Sequence, residues 1–579
     1  MALLETDPVT VVAANWDESG EKDGKRSTKP DWHLRVFLAA IAGCVLAYIG
    51  YILAFGINAI FWDEWSWIDL IGPGQPTLQT LWAQHNDNIV FFPNIVAVLL
   101  IRLTSWNDLA FFGLSAALMV CTLAFIVKVF WSEIKLAPLW WVPVPFLVLT
   151  LAQHQNILWA FQIAWAMVIF ALVAGLALLS RSPCSYSRLI LASLLGVFAS
   201  YSSLQGLIVW PCGLAVLLAR GQPRRLALIW GFVAALTVVG YFADFSFASS
   251  SSKSLQYVFE HLANAASGLL IAAGSVIPNL GQRITKLLGA VLLASGALVV
   301  IHWIANGRPS GAKAYCVTLV LVTVLFDLLL VPGRLVITPV AGTAPRYATF
   351  NWPLLVGVYA YGLIWLRSRP RYRFGALTTR VGLTSIVLAQ VAVGSTVGVA
   401  QGQVTRTVRL TSADVLANWQ TAPPAVAAPY LYPPCADYAG VCLELSHWAS
   451  FVQQSRMNIF ADPSSVAQLQ SLGIVPGGIA AKQLAIPDAL QAAVRADPSG
   501  QKAWNVLSSV YSSDPSLRRA YPETQAGTLA LVEWAAATGS SVTPAEIINE
   551  EWAAPVTSDL FLQQYADTYR TWARALSQQ

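Results

Sequence analysis

Along the chain, long apolar runs alternate with short polar loops. Runs of the ~20 residues needed to cross a bilayer lie near 35–57, 107–131, 136–152, 157–180, 187–203, 204–220 and 226–246. Four more lie near 286–305, 314–332, 347–366 and 378–399. The pattern predicts an α-helical polytopic membrane protein with eleven spans. Residues 257–278 are nearly as apolar but carry Glu260, His261 and Asn264, so they are read as a re-entrant or surface-lying helix. The stretch 89–103 contains Pro93 and ends in Arg102, and it is read as a short helix on the membrane face.

Lys and Arg set the orientation. The basic residues ahead of the first run fall on one side, with Lys128 and Lys135, Arg181 and Arg188, Arg220, Arg224 and Arg225, and the 367–373 arginines. Loops on the other side carry Asp63, Glu64, Asp69, Asp87, Gln153, Asn156 and Gln205. The first side is read as cytoplasmic and the second as outside. This divides the chain into a cytoplasmic tail (1–33), a transmembrane domain (34–400) and an outer, mainly helical soluble domain (401–579). The expected outer loops are 58–106, 152–157, 247–285 and 333–346. No cleavable signal pattern is present, so the first span is expected to stay in the membrane.

Composition agrees with the pattern. Hydrophobic residues make up 56% and charged residues 11%, against about 25% charged in soluble domains, and mean hydropathy is +0.57. Basic residues are scattered through short loops, which gives no footprint for nucleic acid. Cys44, Cys121, Cys184, Cys212 and Cys316 lie in or beside spans or in a cytoplasmic loop. Cys435 and Cys442 stand close together in the outer domain, where a structural disulfide is the favoured reading.

The candidate chemistry collects on one side. After the first span the chain reads Phe61-Trp62-Asp63-Glu64-Trp65-Ser66-Trp67. Two carboxylates wrapped in indoles at a membrane surface lose solvation, and their pKa tends to rise, which suits a general base. The plainer reading is a helix end. Trp82-Ala83-Gln84-His85-Asn86-Asp87-Asn88 follows in the same loop, and the next outer loop runs from Gln153 to Gln162. Span centres are nearly bare of polar groups apart from Asp327, which argues against solute transport. Trp62, Trp65, Trp67, Trp82 and Trp159 are candidates for stacking on sugar rings, with an interfacial aromatic belt as the stronger account.

These stretches resemble a group of bacterial multi-span proteins related to the GT-C superfamily of polyprenyl-phosphate-sugar-dependent glycosyltransferases. Members carry an aromatic-flanked acidic pair, a "WAQHNEHR" stretch ending in Phe-Pro, a second loop like "QWENLLWGFQ", and Gly-Arg followed by Arg-Tyr. Here Gln153-His154-Gln155-Asn156-Ile157-Leu158-Trp159-Ala160-Phe161-Gln162 stands for the second loop, with Gly333-Arg334 and Arg346-Tyr347 for the last pair. The four motifs occur in the expected order over residues 35–366. The chain departs at Asp87, Asn88 and Ile89, which replace Glu, His and Arg, and at Gln155, which replaces Glu.

The resemblance implies an inverting glycosyltransferase of the bacterial cytoplasmic membrane, acting on its outer face in cell-surface glycan synthesis or modification. The partners would be a lipid-linked sugar donor and a glycan or lipid acceptor. Asp63 would be the base, with Glu64 the carboxylate that takes that part otherwise. Arg346 and Arg334 would hold the donor phosphate, with membrane-interface anchoring as their bland alternative. His85, Asn86, Gln153, Asn156 and Tyr347 complete the candidate substrate contacts. No ligand spacing calls for a metal, and no cofactor is assigned. A flippase of lipid-linked sugars and a non-catalytic scaffold of a polysaccharide assembly complex are the other classes.

Overall fold

The computed structural model describes residues 32–133, 138–181, 183–246, 256–306, 310–334, 341–367, 373–420, 431–432 and 439–472. Cys435 and the chain beyond 472 lie outside them, as does the side chain of Cys442, so the disulfide and most of the expected outer domain do too. The described part is helical apart from one small hairpin.

In chain order the helices are α1 (Trp32–Phe55), α2 (Phe91–Thr104), α3 (Asp108–Glu133), α4 (Pro143–Val148), α5 (His154–Leu158) and α6 (Ile163–Ser180). Then come α7 (Tyr186–Ser200), α8 (Val209–Ala219), α9 (Arg224–Phe242), α10 (Leu262–Gly274), α11 (Gln282–Ala305) and α12 (Gly311–Arg334). The last are α13 (Ala348–Arg367), α14 (Arg373–Ala417), α15 (Ala439–Gln454) and α16 (Pro463–Leu472). Single helical turns, Ile68–Ile71 and Leu78–Trp82, punctuate the first loop.

Among the described residues, eight helices are long and apolar enough to cross a membrane: α1, α3, α6, α9, α11, α12, α13 and α14. This is the architecture of a multi-pass membrane protein. Helices α6 and α13 are buried nearly all round and form the centre of the bundle, with α12 packed against both. A helix apolar on every face belongs in such a core. Helices α1, α9 and α11 leave most of their apolar surface uncovered by protein, as lipid-facing helices do.

Two regions differ from the sequence reading, and a third shows close helix packing. Residues 138–153 form a 3₁₀ turn, the six-residue α4 and a second 3₁₀ turn instead of one long helix. Pro138, Pro143 and Pro145 remove backbone donors and interrupt a continuous helix there. Helix α10, within 257–278, is 13 residues long, about 20 Å. It crosses α11 so closely that a Cβ on Gly274 would lie 1.9 Å from the Thr285 carbonyl oxygen, and one on Gly289 would lie 1.8 Å from that of Leu270. The second difference concerns residue 400, drawn as a domain boundary. It lies inside α14, whose 45 residues extend about 67 Å. The Tyr51 hydroxyl donates to the Gly398 carbonyl at 2.7 Å, which ties α14 to α1. Beyond the end of α1, α14 continues into the loops that hold the acidic pair.

Candidate functional site

The loops gather at one end of the bundle. Residues Trp62–Trp67 make a 3₁₀ turn, and Glu64 folds back so that its Oε2 accepts the Phe61 N–H at 2.8 Å. This is the acceptor half of a capping box. Its other oxygen, Oε1, accepts the Ala160 N–H at 3.0 Å and lies 3.5 Å from Nη2 of Arg409 on α14. The Arg409 guanidinium also donates to the Ala59 carbonyl at 3.1 Å and sits 4.1 Å from the centre of the Phe61 ring. Asp108, at the start of α3, accepts the Ala59 N–H at 3.0 Å and lies within charge range of both Glu64 and Arg409. Glu64 is wholly buried and Arg409 nearly so. Burial raises the Glu64 carboxyl above the usual carboxylate range, while Arg409 and the two N–H groups pull it back.

This cluster is an anchor. Every oxygen of Glu64 is committed to the backbone or to Arg409, and water has no access to it. Glu64, the alternative base of the sequence reading, is therefore sealed from solvent with both oxygens bonded. Arg409 and Asp108 were not singled out from the sequence. The loop after α15 closes the same cluster from outside. There the Asn458 amide donates to Asn58 Oδ1 and to the Trp106 carbonyl, both at 2.8 Å, and Asn58 Oδ1 in turn accepts the Asp108 N–H at 2.9 Å.

Asp63, one residue away, has the opposite surroundings. Its side chain is 22% exposed and its Oδ1 lies 3.6 Å from Nε2 of His85, which is 24% exposed. The two come from opposite ends of the first loop. His85 sits on the hairpin β1 (Gln84–His85) and β2 (Asn88–Ile89), which is fixed from outside. Tyr241 Oη accepts the Ile89 N–H at 3.0 Å, and Asn88 Oδ1 accepts from the Ser203 hydroxyl at 2.8 Å and the Leu204 N–H at 3.1 Å. The His85 ring packs on Phe161 at 4.7 Å.

Both members of the pair adjoin left-handed backbone: Trp62 has φ of +53° and Asn86 has φ of +50°. Asn tolerates that region in a hairpin turn. For Trp it costs on the order of 1–3 kcal/mol, strain that persists only where the surroundings enforce it. Asn86 itself is exposed at the hairpin tip.

The segment 154–162 links this pair to the arginines. At its far end the Ala160 N–H and the Phe161 ring hold Glu64 and His85. At its near end Asn156 donates to the Arg346 carbonyl at 2.7 Å and to the Thr349 hydroxyl at 2.6 Å. The Thr349 hydroxyl donates to Gln153 Oε1 at 2.6 Å, and Gln153 donates to the Val148 carbonyl at 3.0 Å. Gln153 and Asn156 are buried and position the Arg346 turn; both amide atoms of Gln153 and the nitrogen of Asn156 are bonded within the protein, while the Asn156 Oδ1 is buried with no hydrogen-bond partner among the described residues. Arg346 reaches Gln155 Oε1 at 3.4 Å, and its guanidinium lies 5.2 Å from the Tyr347 ring centre. Arg334 approaches the Tyr347 hydroxyl from the end of α12, so both arginines flank one phenol. The Tyr347 ring is buried against Trp165 at 5.6 Å, which leaves only its hydroxyl end beside the cations. His154 is buried, and burial pushes its imidazole down to about 4; it is neutral at pH 7.

The tryptophans behave differently from an interfacial belt. Trp65 and Trp67 are core residues, with Trp67 stacked on Phe111 at 4.9 Å and Trp65 on Trp448 at 6.2 Å. Trp62 packs against the buried Trp159 at 6.2 Å, and Trp82 against Tyr201 at 4.9 Å. Together they make the loop layer rigid. Among the described residues no group of three His, Cys, Asp or Glu side chains is arranged to hold a metal ion.

No protein-family model, curated protein or solved structure matches the chain.

Proposed function

We propose that this protein is a membrane glycosyltransferase that moves a sugar from a polyprenyl-phosphate carrier to an acceptor hydroxyl at the outer face of the bacterial cytoplasmic membrane. One observation carries the reading: a partly exposed Asp63–His85 pair and the Arg346 turn, which meets Arg334 at Tyr347, are contacted by opposite ends of one nine-residue segment, 154–162. An acid-base group and a pair of cations on one support are what transfer from a lipid phosphate requires. The resemblance to the GT-C superfamily points the same way.

In this mechanism the acceptor hydroxyl gives its proton to Asp63 as its oxygen bonds to the anomeric carbon. The bond from that carbon to the phosphate oxygen breaks, and the electron pair leaves on the lipid phosphate, which Arg346 and Arg334 stabilise. His85 orients the Asp63 carboxylate. Glu64, Asp108 and Arg409 hold the turn in place. The test is transfer from a polyprenyl-phosphate sugar pool in membranes: a well-expressed Asp63→Asn protein that transfers normally rejects the mechanism. Reporter fusions test the orientation, with residues 367–373 expected inside and the loop of Asp63 outside.

One observation favours a transporter instead. Asp327 lies within α12 with both carboxyl oxygens buried and no hydrogen-bond partner among the described residues. An ionisable group inside a span is a feature of proton-coupled transport. Asp327→Asn separates the two: it leaves transfer intact in an enzyme and abolishes flux in a transporter.

A further inference from the structure

His85 has a second neighbour. Between residues 66–94, Phe161 and α15 lies a cavity of about 610 Å³, within the ~300–1,000 Å³ range of small-molecule sites. Of the eight span-length helices, only the entrance to α6, at Phe161, reaches its wall. The rest of its described wall comes from the loop layer, Asn94 of α2 and α15.

Its chemistry is specific in kind. Asp69, Asn94 and His447 bring a carboxylate, an amide and an imidazole to the wall beside His85, while the Gln84 amide there is bonded to Asn86 and Ser246. The Asn94 amide already donates to the Leu81 carbonyl at 3.0 Å, which fixes its orientation. Trp448 and Phe451 of α15 add aromatic surface, and Trp448 is set by its stack on Trp65 and an edge contact with Tyr432 at 5.7 Å. Among the described residues no Lys or Arg lines the cavity, which disfavours the anionic donor there. Neutral polyhydroxylated rings fit it. Their hydroxyls both donate and accept, matching carboxylate, amide and imidazole, and their C–H faces are attracted to the negative faces of aromatic rings.

We infer that this cavity is the acceptor subsite and that the acceptor is a carbohydrate, whose hydroxyl it delivers to the Asp63–His85 pair. The inference rests on the transferase reading for the step that follows binding. His85 is the junction: it lines the cavity and lies 3.6 Å from Asp63. The specificity of the enzyme would then be set by α15 and the 66–94 loop, regions outside the bundle.

The experiment is sugar binding by the full chain in nanodiscs, with methyl glycosides of common hexoses and pentoses and their disaccharides as probes. Saturation-transfer NMR reports binding, and acceptor dependence is measured in the transfer assay. At least one sugar is expected to bind, with about tenfold weaker binding in Asp69→Asn and in Trp448→Ala, the loss of one good polar or stacking contact. Trp448→Phe, which keeps an aromatic face against Trp65, should restore most of it. Asp63→Asn should keep sugar binding. The cavity assignment is overturned if no probe sugar binds the folded wild type. It is equally overturned if binding and the acceptor KM are the same in Asp69→Asn and Trp448→Ala as in wild type, even where transfer proceeds. Sugar binding that depends on Asp69 in a protein that transfers from no lipid-phosphate donor keeps the cavity and rejects the transferase reading.

Discussion

Asp63 and Glu64 are neighbours in the chain with opposite roles. Glu64 is sealed among Phe61, Ala160 and Arg409, while Asp63 faces the buried Nε2 of His85 with each side chain partly exposed. A 3₁₀ turn advances about 120° per residue, so adjacent side chains on it point in different directions. The turn thus sends Glu64 inward to hold the loop and Asp63 outward, where the proposed mechanism uses it. Breaking a buried ion pair costs far more than removing an exposed one, and this gives the two positions different signatures. Loss at Asp63 should appear in the chemistry with the protein intact. Loss at Glu64 or its partner should appear in the protein itself.

The largest expected effect is catalytic. Asp63→Asn keeps the shape and removes the base, and should lower transfer by ~10²–10⁴-fold with unchanged expression and thermal stability. An equal loss of stability would erase the distinction between the two carboxylates. Next is Arg409→Ala. It strands Glu64 and Asp108 in a buried site, with a cost of about 3–5 kcal/mol. The measured outcome should be low abundance or a sharply lower melting temperature in detergent. Arg409→Ala combined with Glu64→Gln should recover part of that loss, because the buried charge is then removed along with its partner. If the double variant is no more stable than the single, the anchor is something other than this pair.

The contrast was only half legible in the sequence. The apolar runs disclosed the bundle, and the polar loops of one side included the residues that the structure pairs as Asp63 with His85 and as Arg334 and Arg346 with Tyr347. Nothing in the local pattern separated Asp63 from Glu64, since a two-residue acidic pair carries no record of which member turns inward. The partner that decides it, Arg409, lies 345 residues further on, behind a composition shift that reads as a new domain. The available signal was an absence: from Gly402 to Pro423 the chain has no helix breaker, so α14 continues past 400. The 138–153 region erred in the other direction. Its hydropathy is that of a span, but its prolines are those of a broken chain. Gln153 and Asn156 were legible as polar residues in the correct loop; that their amides face Thr349 and the Arg346 carbonyl is a tertiary fact.

The arginine site sharpens the comparison from the donor side. Arg346→Ala should cost about 1.5–3 kcal/mol of transition-state binding, the value of a charge-assisted contact. The loss should appear in use of the lipid-phosphate donor, with acceptor KM unchanged. Arg346→Lys should recover only part, since an ammonium cannot form the planar two-point contact of a guanidinium. A full recovery with Lys would reduce the residue to a membrane-interface anchor.

The smallest effect is a pH dependence of stability carried by Glu64. Burial raises its carboxyl from an ordinary 4.5 to about 7 in the folded protein, with Arg409 and the Phe61 and Ala160 N–H groups opposing the rise. A raised folded-state value means that the native protein holds this proton more tightly than the unfolded chain does, so stability falls as protons are withdrawn. Glu64 therefore contributes fully below about pH 4.5, loses that contribution between about 4.5 and 7, and adds no slope above. The expected measurement is a melting temperature in detergent that declines across that window more steeply in wild type than in Glu64→Gln, in which the carboxyl is gone. Asp63→Asn should leave the slope as it is, because the outward carboxylate is not part of the buried cluster. If Asp63→Asn removes the slope and Glu64→Gln does not, the inward and outward assignments of the two carboxylates are reversed.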